Sequence, residues 1–246
     1  MPDYRDLPRS EFPATAQRDN IESACEFTSV CINTAIYLPW LVSQCASRRV
    51  VFRRANLSHI SQAASLSHTG RPADVVINAS GLLACKLGGV MDSAVQPARG
   101  QIVVVRNAAP DGIMTTSGCV ETAEEVEYSM TRALGGGTVL GGTYQLGNWD
   151  PVPDPNIAMR ILKRAVELHP ELTGGKGVDG LDIIRHGVGL RPYRAGGVRI
   201  EKEVIAGIAV IHNYGHAGWG YQGSYGCAEA VVELADEVLG TPRAKL

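Results

Sequence analysis

The chain has 246 residues, of which 45% are hydrophobic and 20% are charged, and its formal net charge at pH 7 is −2. This length and composition are typical of a globular fold with a full core and exclude a disordered chain. The balanced charge excludes the basic surface of a general nucleic-acid binder, and no apolar run reaches the length of a membrane span. The first residues are polar, unlike a signal or transit peptide, so we expect a soluble intracellular protein.

The first half of the chain predicts one helix and four short strands. The helix starts at Tyr37 with Pro39 in its first turn, where proline is tolerated. The run at 74–78 is continuously apolar and leads into Ser80 and Gly81, a pattern typical of a buried parallel strand that ends in a turn. The four strands cover residues 27–33, 50–53, 74–78 and 101–105.

The second half predicts two helices and further strands. Asp154 and Pro155 supply an N-cap and a first-turn proline for a helix that ends near Leu168, and a last helix covers residues 224–239. Because several strands follow one another without a helix between them, we predict an α/β fold whose sheet is partly antiparallel. These strands cover residues 137–144, 182–185, 197–200 and 209–211.

The six cysteines form neither a C-x-x-C pair nor a Cys/His cluster with zinc spacing. With no sign of secretion, disulfides are not expected. We interpret the cysteines as buried, reduced thiols, the alternative being a redox or metal-binding role. The sequence therefore predicts no metal site.

Glycine is abundant, with 28 residues in 246, and its clusters indicate tight turns or backbone that lies close to a ligand. In one cluster Gly218, Gly220 and Gly223 match the dinucleotide-binding pattern G-x-G-x-x-G. Only 23 residues follow Gly223, which leaves no room for the second strand of a βαβ unit. The segment is therefore either an ordinary tight turn or a turn that binds an anion through its amides and the next helix N-terminus.

Five segments, in the same order along the chain, resemble the D-amino-acid oxidases, especially those of fungi. The resemblance extends from about residue 24 to about residue 240, and five ordered motifs together are far more specific than any one alone. The segments are VVINASG at 75–81, PARGQ at 97–101, GGTYQLGNW at 141–149, VGLRPYR at 188–194 and HNYGHAGWGY at 212–221.

The resemblance implies an α/β fold in which an incomplete, doubly wound FAD-binding domain is interleaved with a substrate domain of mixed and antiparallel sheet. Residues 1–45 and 96–186 correspond to the substrate domain, and residues 46–95 and 187–246 to the flavin domain. The family's opening βαβ unit, which carries its true G-x-G-x-x-G, has no counterpart here. We therefore expect the isolated chain to retain FAD weakly or not at all.

The activity that the resemblance implies is oxidation of neutral D-amino acids to imino acids by direct hydride transfer to FAD, with oxygen reduced to hydrogen peroxide. The imino acid then hydrolyses to a 2-oxo acid and ammonia. The alternative is a non-catalytic truncated homologue or gene-model fragment that cannot retain FAD. The small-molecule partners implied are a D-amino acid and oxygen, with no nucleic acid and no membrane.

By motif match, Arg191 is the guanidinium that binds the substrate carboxylate, a role that suits its planar fork of donors. Tyr128 matches the tyrosine whose hydroxyl meets the same carboxylate, the alternative being a plain core tyrosine. Tyr144 matches a second active-site tyrosine, the alternative being a sheet residue. Gly218 leaves room for the substrate beside the flavin ring.

The resemblance also implies which residues hold FAD. Ser80 replaces the family's usual threonine and keeps a hydroxyl, and Ala55 lies at the adenine end. The turn before the last helix, together with that helix's N-terminus, would stabilise negative charge on the reduced flavin ring. The turn residues are Ala217, Gly218, Trp219, Gly220, Tyr221 and Gln222.

The last three residues, Ala244, Lys245 and Leu246, resemble the small–basic–leucine peroxisomal address. Peroxide-producing oxidases are often housed with catalase. We therefore predict import into the peroxisome through its receptor, with the cytoplasm as the alternative location.

Overall fold

The computed structural model describes residues 1–12, 21–109, 112–117 and 122–240. Within these ranges the chain forms eleven β-strands and three α-helices, together with short 3-10 turns. The strands and helices are β1 (Arg5–Asp6), β2 (Cys25–Glu26), α1 (Thr34–Ser47), β3 (Val76–Asn78), β4 (Val95–Val105), β5 (Ile113–Thr116), β6 (Glu125–Thr131), β7 (Thr138–Thr143), β8 (Gln145–Leu146), α2 (Pro155–Leu168), β9 (Ile183–Arg194), β10 (Arg199–Ile205), β11 (Ile208–Tyr214) and α3 (Ser224–Leu239).

The chain divides into two compact units, and three of the dividing points fall inside the strands β4, β8 and β9. The first unit comprises Met1–Arg49, Gly100–Gln145 and Asp150–Gly189, and the second comprises Val50–Arg99, Leu146–Trp149 and Leu190–Leu246. The roles predicted for the two sets of segments, substrate binding and flavin binding, stay predictions.

The first unit is built on an antiparallel sheet covered by α2. Strands β5, β6, β7 and β4 are neighbours in that order, and β8 and β9 also pair with β4. Asp154 caps α2 as predicted, because its carboxylate accepts the amides of Asn156 and Ile157. The buried face of α2, which includes Ile161 and Leu162, packs with the fully buried Val103 and Leu140 to form the core of this unit.

Strand β6 turns polar rather than apolar residues inward. Glu125 is 5% exposed and accepts hydrogen bonds from Arg160 and Arg164 of α2. Burial alone would raise the pKa of Glu125, but the two arginines outweigh burial and lower it. The carboxylate is therefore held ionised beneath the helix, where an unpaired charge would be costly.

We expect this ion cluster to make stability depend on pH. Because the pKa of Glu125 is lower in the folded than in the unfolded chain, its contribution is complete above the unfolded pKa and is lost as the pH falls through the folded pKa. Glu125→Gln should remove this dependence and cost about 3 kcal/mol at neutral pH, since it leaves the largely buried Arg164 without its carboxylate. Urea unfolding at several pH values measures both effects. Glu124→Gln, a change at the exposed neighbouring position, is the control and should alter neither.

The second unit contains a three-stranded sheet in the order β10–β11–β3. Strand β11 pairs antiparallel with β10 and parallel with β3, with Val210 opposite Val76 and His212 opposite Asn78. Helix α3 packs on β10 and β11. The predicted parallel strand, the last helix and the mixture of parallel and antiparallel pairing are confirmed, and with them the α/β class.

Two predicted strands are wrong, and one helix begins earlier than predicted. Residues 27–33 and 50–53 form no strand, and their apolar side chains remain exposed, Val30 by 80% and Phe52 by 60%. The predicted runs are apolar, but pairing with a neighbouring strand is also required to make a strand. Helix α1 starts at Thr34 with Asn33 as N-cap, so Pro39 lies inside it rather than in its first turn.

The prediction of buried thiols is also wrong for the five cysteines that the structure describes. Cys25 is exposed, and the other four, Cys31, Cys45, Cys85 and Cys227, are partly exposed; all five are free thiols. Within the described ranges no group of His, Cys, Asp or Glu could hold a metal ion. None of the helices in these ranges combines the length and apolar composition needed to cross a bilayer.

Candidate functional site

The carboxyl ends of β3 and β11 lie side by side in the second unit, because the two strands are parallel and adjacent. Ser80 follows β3 by two residues, and the glycine-rich turn at 215–223 joins β11 to α3. Ligands of open α/β sheets bind outside the carboxyl ends of parallel strands. The fold therefore places the two predicted cofactor turns at one edge of the sheet.

Hydrogen bonds tie the glycine-rich turn to the end of β9. The Ala217 amide donates to the Pro192 carbonyl at 2.8 Å, and Tyr193 forms an antiparallel bridge with His216. Arg191 consequently lies beside Gly218, where an added Cβ would be 3.7 Å from Arg191 Cδ. The structure thus brings together the predicted carboxylate-binding arginine and the glycine predicted to leave room for substrate.

The backbone of this turn explains part of its composition. Gly215 has φ +89°, and a Cβ there would lie 2.8 Å from Arg194 Cβ, so glycine is required for both reasons. Ala217 adopts φ +48°, a conformation that L residues rarely occupy. Trp219 and Tyr221 are exposed, by 71% and 44%, and offer aromatic surface on the turn.

The N-terminus of α3 carries the positive end of the helix dipole into this region. The helix spans Ser224–Leu239, its N-cap Gly223 has no side chain to cap the amides, and its first turn contains no acidic residue. No side chain of that first turn therefore neutralises the dipole. Gly220 and Gln222 lie in the segment that leads to this helix end.

Ser80 shows the clearest sign of a missing partner. Its Oγ atom is buried and has no hydrogen-bond partner in the part of the chain that the structure describes. A buried hydroxyl without a partner is costly and is usually satisfied by protein, water or ligand. By contrast, the predicted adenine-end residue Ala55 is exposed in a segment without regular structure.

Sequence reasoning missed a buried polar relay behind the Ser80 turn. The Ser80 amide donates to Asn78 Oδ1 at 3.2 Å, and Asn78 Nδ2 lies 3.0 Å from His212 Nδ1. His212 Nε2 lies 3.0 Å from a carboxylate oxygen of Glu203. Burial lowers the pKa of His212, and Glu203 opposes this only in part. Polar residues inside the apolar runs VVIN and AVIH were the available signal, since buried polar groups need partners.

A second polar cluster anchors the end of β9. Asp92 accepts hydrogen bonds from Arg194 Nε at 2.8 Å and from the Tyr214 hydroxyl at 2.9 Å, and Arg199 donates to the same hydroxyl at 2.8 Å. Burial alone would raise the pKa of Asp92, but the bonds from Arg194 and Tyr214 outweigh it and lower the pKa. The cluster therefore holds an ionised carboxylate against Arg194, which lies three residues beyond Arg191 on β9.

The two predicted active-site tyrosines lie in the first unit. Tyr128 is opposite Gly141 in the β6–β7 pairing, and a Cβ added to Gly141 would be only 2.0 Å from Tyr128 Cζ. The ring therefore rests on the glycine backbone. Tyr144 follows β7, and its amide donates to the Glu124 carbonyl at 2.6 Å. Both tyrosine side chains are partly exposed.

Taken by itself, the second unit offers a cation, a helix N-terminus and a buried hydroxyl at one sheet edge. Arg191 can bind a carboxylate through parallel hydrogen bonds. His212 uses both ring nitrogens in the relay, so it is not available as a general base. Burial also lowers the pKa of His216 and keeps its imidazole neutral near pH 7.

Comparisons with known proteins identify a family and several relatives of the chain. A family model described as FAD dependent oxidoreductase matches residues 2–234. The chain is 57% identical over 226 residues to a D-amino-acid oxidase of Fusarium vanettenii, and the aligned residues make up 92% of this chain and 62% of that protein. It is 38% identical over 235 residues to a D-amino-acid oxidase of Schizosaccharomyces pombe, and the aligned residues make up 95% of this chain and 64% of that protein.

One solved structure shares the fold of nearly the whole chain. The iminodiacetate oxidase of Chelativorans sp. BNC1 matches with a TM-score of 0.64 at 20% identity, over 99% of this chain and 65% of that one. The chain therefore spans less than two thirds of the length of each of these three proteins.

Proposed function

The chain belongs to the family of FAD-dependent oxidoreductases, and on that premise we propose that it binds FAD and oxidises neutral D-amino acids. The products are a 2-oxo acid, ammonia and hydrogen peroxide, formed with the consumption of oxygen and water. The substrate class is proposed from the two fungal relatives named D-amino-acid oxidases.

The observation that carries the proposal is the sheet edge at the ends of β3 and β11. It combines a buried Ser80 hydroxyl that has no partner in the described chain with the glycine-rich turn and the uncapped N-terminus of α3. A hydroxyl, backbone amides and a helix dipole fit the polar groups of a flavin, and Trp219 and Tyr221 add aromatic surface. Ser80 and residues 217–222 would hold the cofactor on this proposal.

The chemistry divides between cofactor and protein. When bound, FAD supplies the acceptor for the two electrons that leave the substrate α-carbon. Arg191 binds the substrate carboxylate and fixes its orientation, because a planar guanidinium forms two parallel hydrogen bonds with it. Gly218 keeps the space beside Arg191 free of a side chain. We propose no general base, which agrees with the engagement of His212 on both ring nitrogens.

Tyr128 and Tyr144 are proposed to bind the substrate through their hydroxyls, as the resemblance implies. Replacement of either by phenylalanine keeps the ring and removes one hydrogen bond. The support for Tyr128 is its defined position on the Gly141 backbone. The role of Tyr144 rests on the motif match alone.

Ser80→Ala separates the cofactor role of Ser80 from a structural one. The change should leave the free protein as stable or slightly more stable, since it removes a buried hydroxyl without a partner. It should weaken FAD binding about 3- to 10-fold through loss of one hydrogen bond. FAD titration and thermal unfolding measure the two effects. Ser80→Thr should retain affinity, and Ser65→Ala, at an exposed position in the same unit, should change neither quantity. Unchanged FAD affinity in Ser80→Ala would contradict the cofactor role.

We also propose that the protein enters the peroxisome through Ala244-Lys245-Leu246, which lie outside the described residues. A fluorescent protein that ends in this tripeptide should collect in peroxisomes of fungal cells and disperse when Leu246 is deleted. A diffuse signal from both fusions would contradict the address. Hydrogen peroxide as a product gives this location a physiological reason.

A further inference from the structure

Two buried polar residues, one at the end of β3 and one inside β11, take no part in the proposed chemistry. Asn78 is 2% exposed and His212 is fully buried, and the two are paired in register across the parallel strands. A buried amide and a buried imidazole lower stability unless each polar atom finds a partner. The hydrogen bonds of Asn78 and His212 therefore indicate the role of the two side chains.

The direction of each bond follows from one fixed donor. The Ser80 amide can only donate, so the oxygen of the Asn78 side chain faces it and the nitrogen faces His212. That nitrogen also only donates, so His212 Nδ1 accepts. The neutral imidazole consequently carries its proton on Nε2, where a carboxylate oxygen of Glu203 accepts it at 3.0 Å.

The far end of the relay is anchored on β10. The same Glu203 oxygen accepts a hydrogen bond from Arg199 Nη2 at 2.9 Å. Each hydrogen bond along the path from Asn78 to Arg199 therefore joins a donor to an acceptor. At the near end the relay holds the backbone amide of Ser80, whereas the Ser80 hydroxyl has no partner in the described chain.

We propose that Asn78 and His212 are positioning residues that fix the Ser80 turn, so that its hydroxyl is kept for a bound ligand. The identity of that ligand as FAD rests on the proposed function, whereas the fixing of the turn does not. His212 acts through Asn78, and Glu203 sets the His212 tautomer.

Asn78→Ala tests the proposal because it removes both hydrogen bonds of the side chain. Hydrogen exchange of the Ser80 amide, followed by NMR relative to the strand amide of Ile211, should accelerate about tenfold. The Nδ1 shift of His212 should move, because this nitrogen loses the hydrogen bond that it accepts from Asn78, whereas the proton should stay on Nε2 beside Glu203. FAD affinity should fall about tenfold.

Val210→Ala is the matched control, because Val210 is fully buried on the same strand as His212 but belongs to the apolar cluster. It should lower stability without a selective effect on Ser80 exchange. Equal Ser80 exchange and an equal His212 Nδ1 shift in the two variants would overturn the proposal. An equal loss of FAD affinity in both would overturn the link between the relay and the ligand.

Asn78→Asp is a second variant that preserves shape. It still accepts the Ser80 amide but presents a carboxylate oxygen to His212 Nδ1, so His212 must gain a proton to donate. Glu203 and Glu201 favour that proton and Arg199 opposes it. We expect both His212 nitrogens to be protonated near pH 7 while the Ser80 amide stays protected, and a neutral His212 would contradict the assigned bond directions.

The failure of this proposal and the failure of the proposed function can be told apart. If the Ser80 turn loosens in Asn78→Ala but the unaltered chain binds no FAD, the proposed function is contradicted and the positioning role of Asn78 is retained.

Discussion

Arg191→Ala should lower kcat/KM for D-alanine about 10²- to 10³-fold. The reason is that removal of one partner of a hydrogen-bonded charge pair costs about 2–5 kcal/mol. The carboxylate keeps its charge while the α-carbon is oxidised, so most of the loss should appear in KM rather than in kcat. Steady-state assay of hydrogen peroxide at saturating FAD measures both constants. Arg191→Lys should recover only part of the loss, because lysine offers a point charge in place of a fork.

Arg185→Ala is the matched control for this substitution. Arg185 lies on the same strand β9, is exposed and takes no part in the proposed site. We expect its removal to leave kcat/KM within about twofold, as is usual for a surface position. A loss in Arg191→Ala no larger than that of the control would show that Arg191 does not bind the substrate carboxylate.

Gly141→Ala should destabilise the first unit, because the new Cβ would lie 2.0 Å from Tyr128 Cζ. No side chain tolerates such a contact, so the ring must leave the Gly141 backbone or the strands β6 and β7 must separate. Overpacking of this kind costs about 1–3 kcal/mol, which corresponds to a Tm lower by roughly 3–10 °C for a chain of this size. Thermal unfolding by circular dichroism measures the change.

Two further variants identify the cause. Gly189→Ala changes another strand glycine, at which a Cβ would meet nothing within 4 Å, and its Tm should stay within about 2 °C of the unaltered protein. In the double variant Gly141→Ala/Tyr128→Ala the clash is gone, so the combined loss should be smaller than the sum of the two single losses. Additive losses would contradict the contact between the ring and the glycine.

The helices and strands that were predicted correctly are those whose first and last residues are marked by the neighbouring sequence. Asp154 and Pro155 mark the start of α2 by capping chemistry, and the observed Pro155–Leu168 helix begins there. Residues 224–239 match α3 at both ends. The apolar run before Ser80 predicted the parallel strand β3, because a strand buried in a parallel sheet reads as continuously apolar.

Strand β6 was not predicted because its inward residues are polar. Glu125, Glu127 and Ser129 are buried on alternate positions of the strand, the reverse of the pattern that hydrophobic periodicity detects. The partners of Glu125, Arg160 and Arg164, lie 35 and 39 residues further on in α2. Such pairing depends on tertiary structure, which no local window of sequence contains.

The candidate site shows the same division between local and distant information. Motif resemblance predicted Arg191 and Gly218 separately, and the bond from Ala217 to Pro192 explains why they are neighbours. The relay through Asn78 and His212 joins residues 134 positions apart, so the sequence offered only an unexplained polar residue in each apolar run. The reason for these two polar residues became clear only from the parallel register of β3 and β11, which places His212 opposite Asn78.

The most direct test of the proposed function is an equilibrium titration of the purified chain with FAD, followed by anaerobic addition of D-alanine. We expect weak but saturable FAD binding, and we expect the visible absorption of the oxidised flavin to disappear with D-alanine but not with L-alanine. An absence of saturable binding, or absorption that D-alanine leaves unchanged, would contradict the proposed oxidase activity and favour a non-catalytic member of the family.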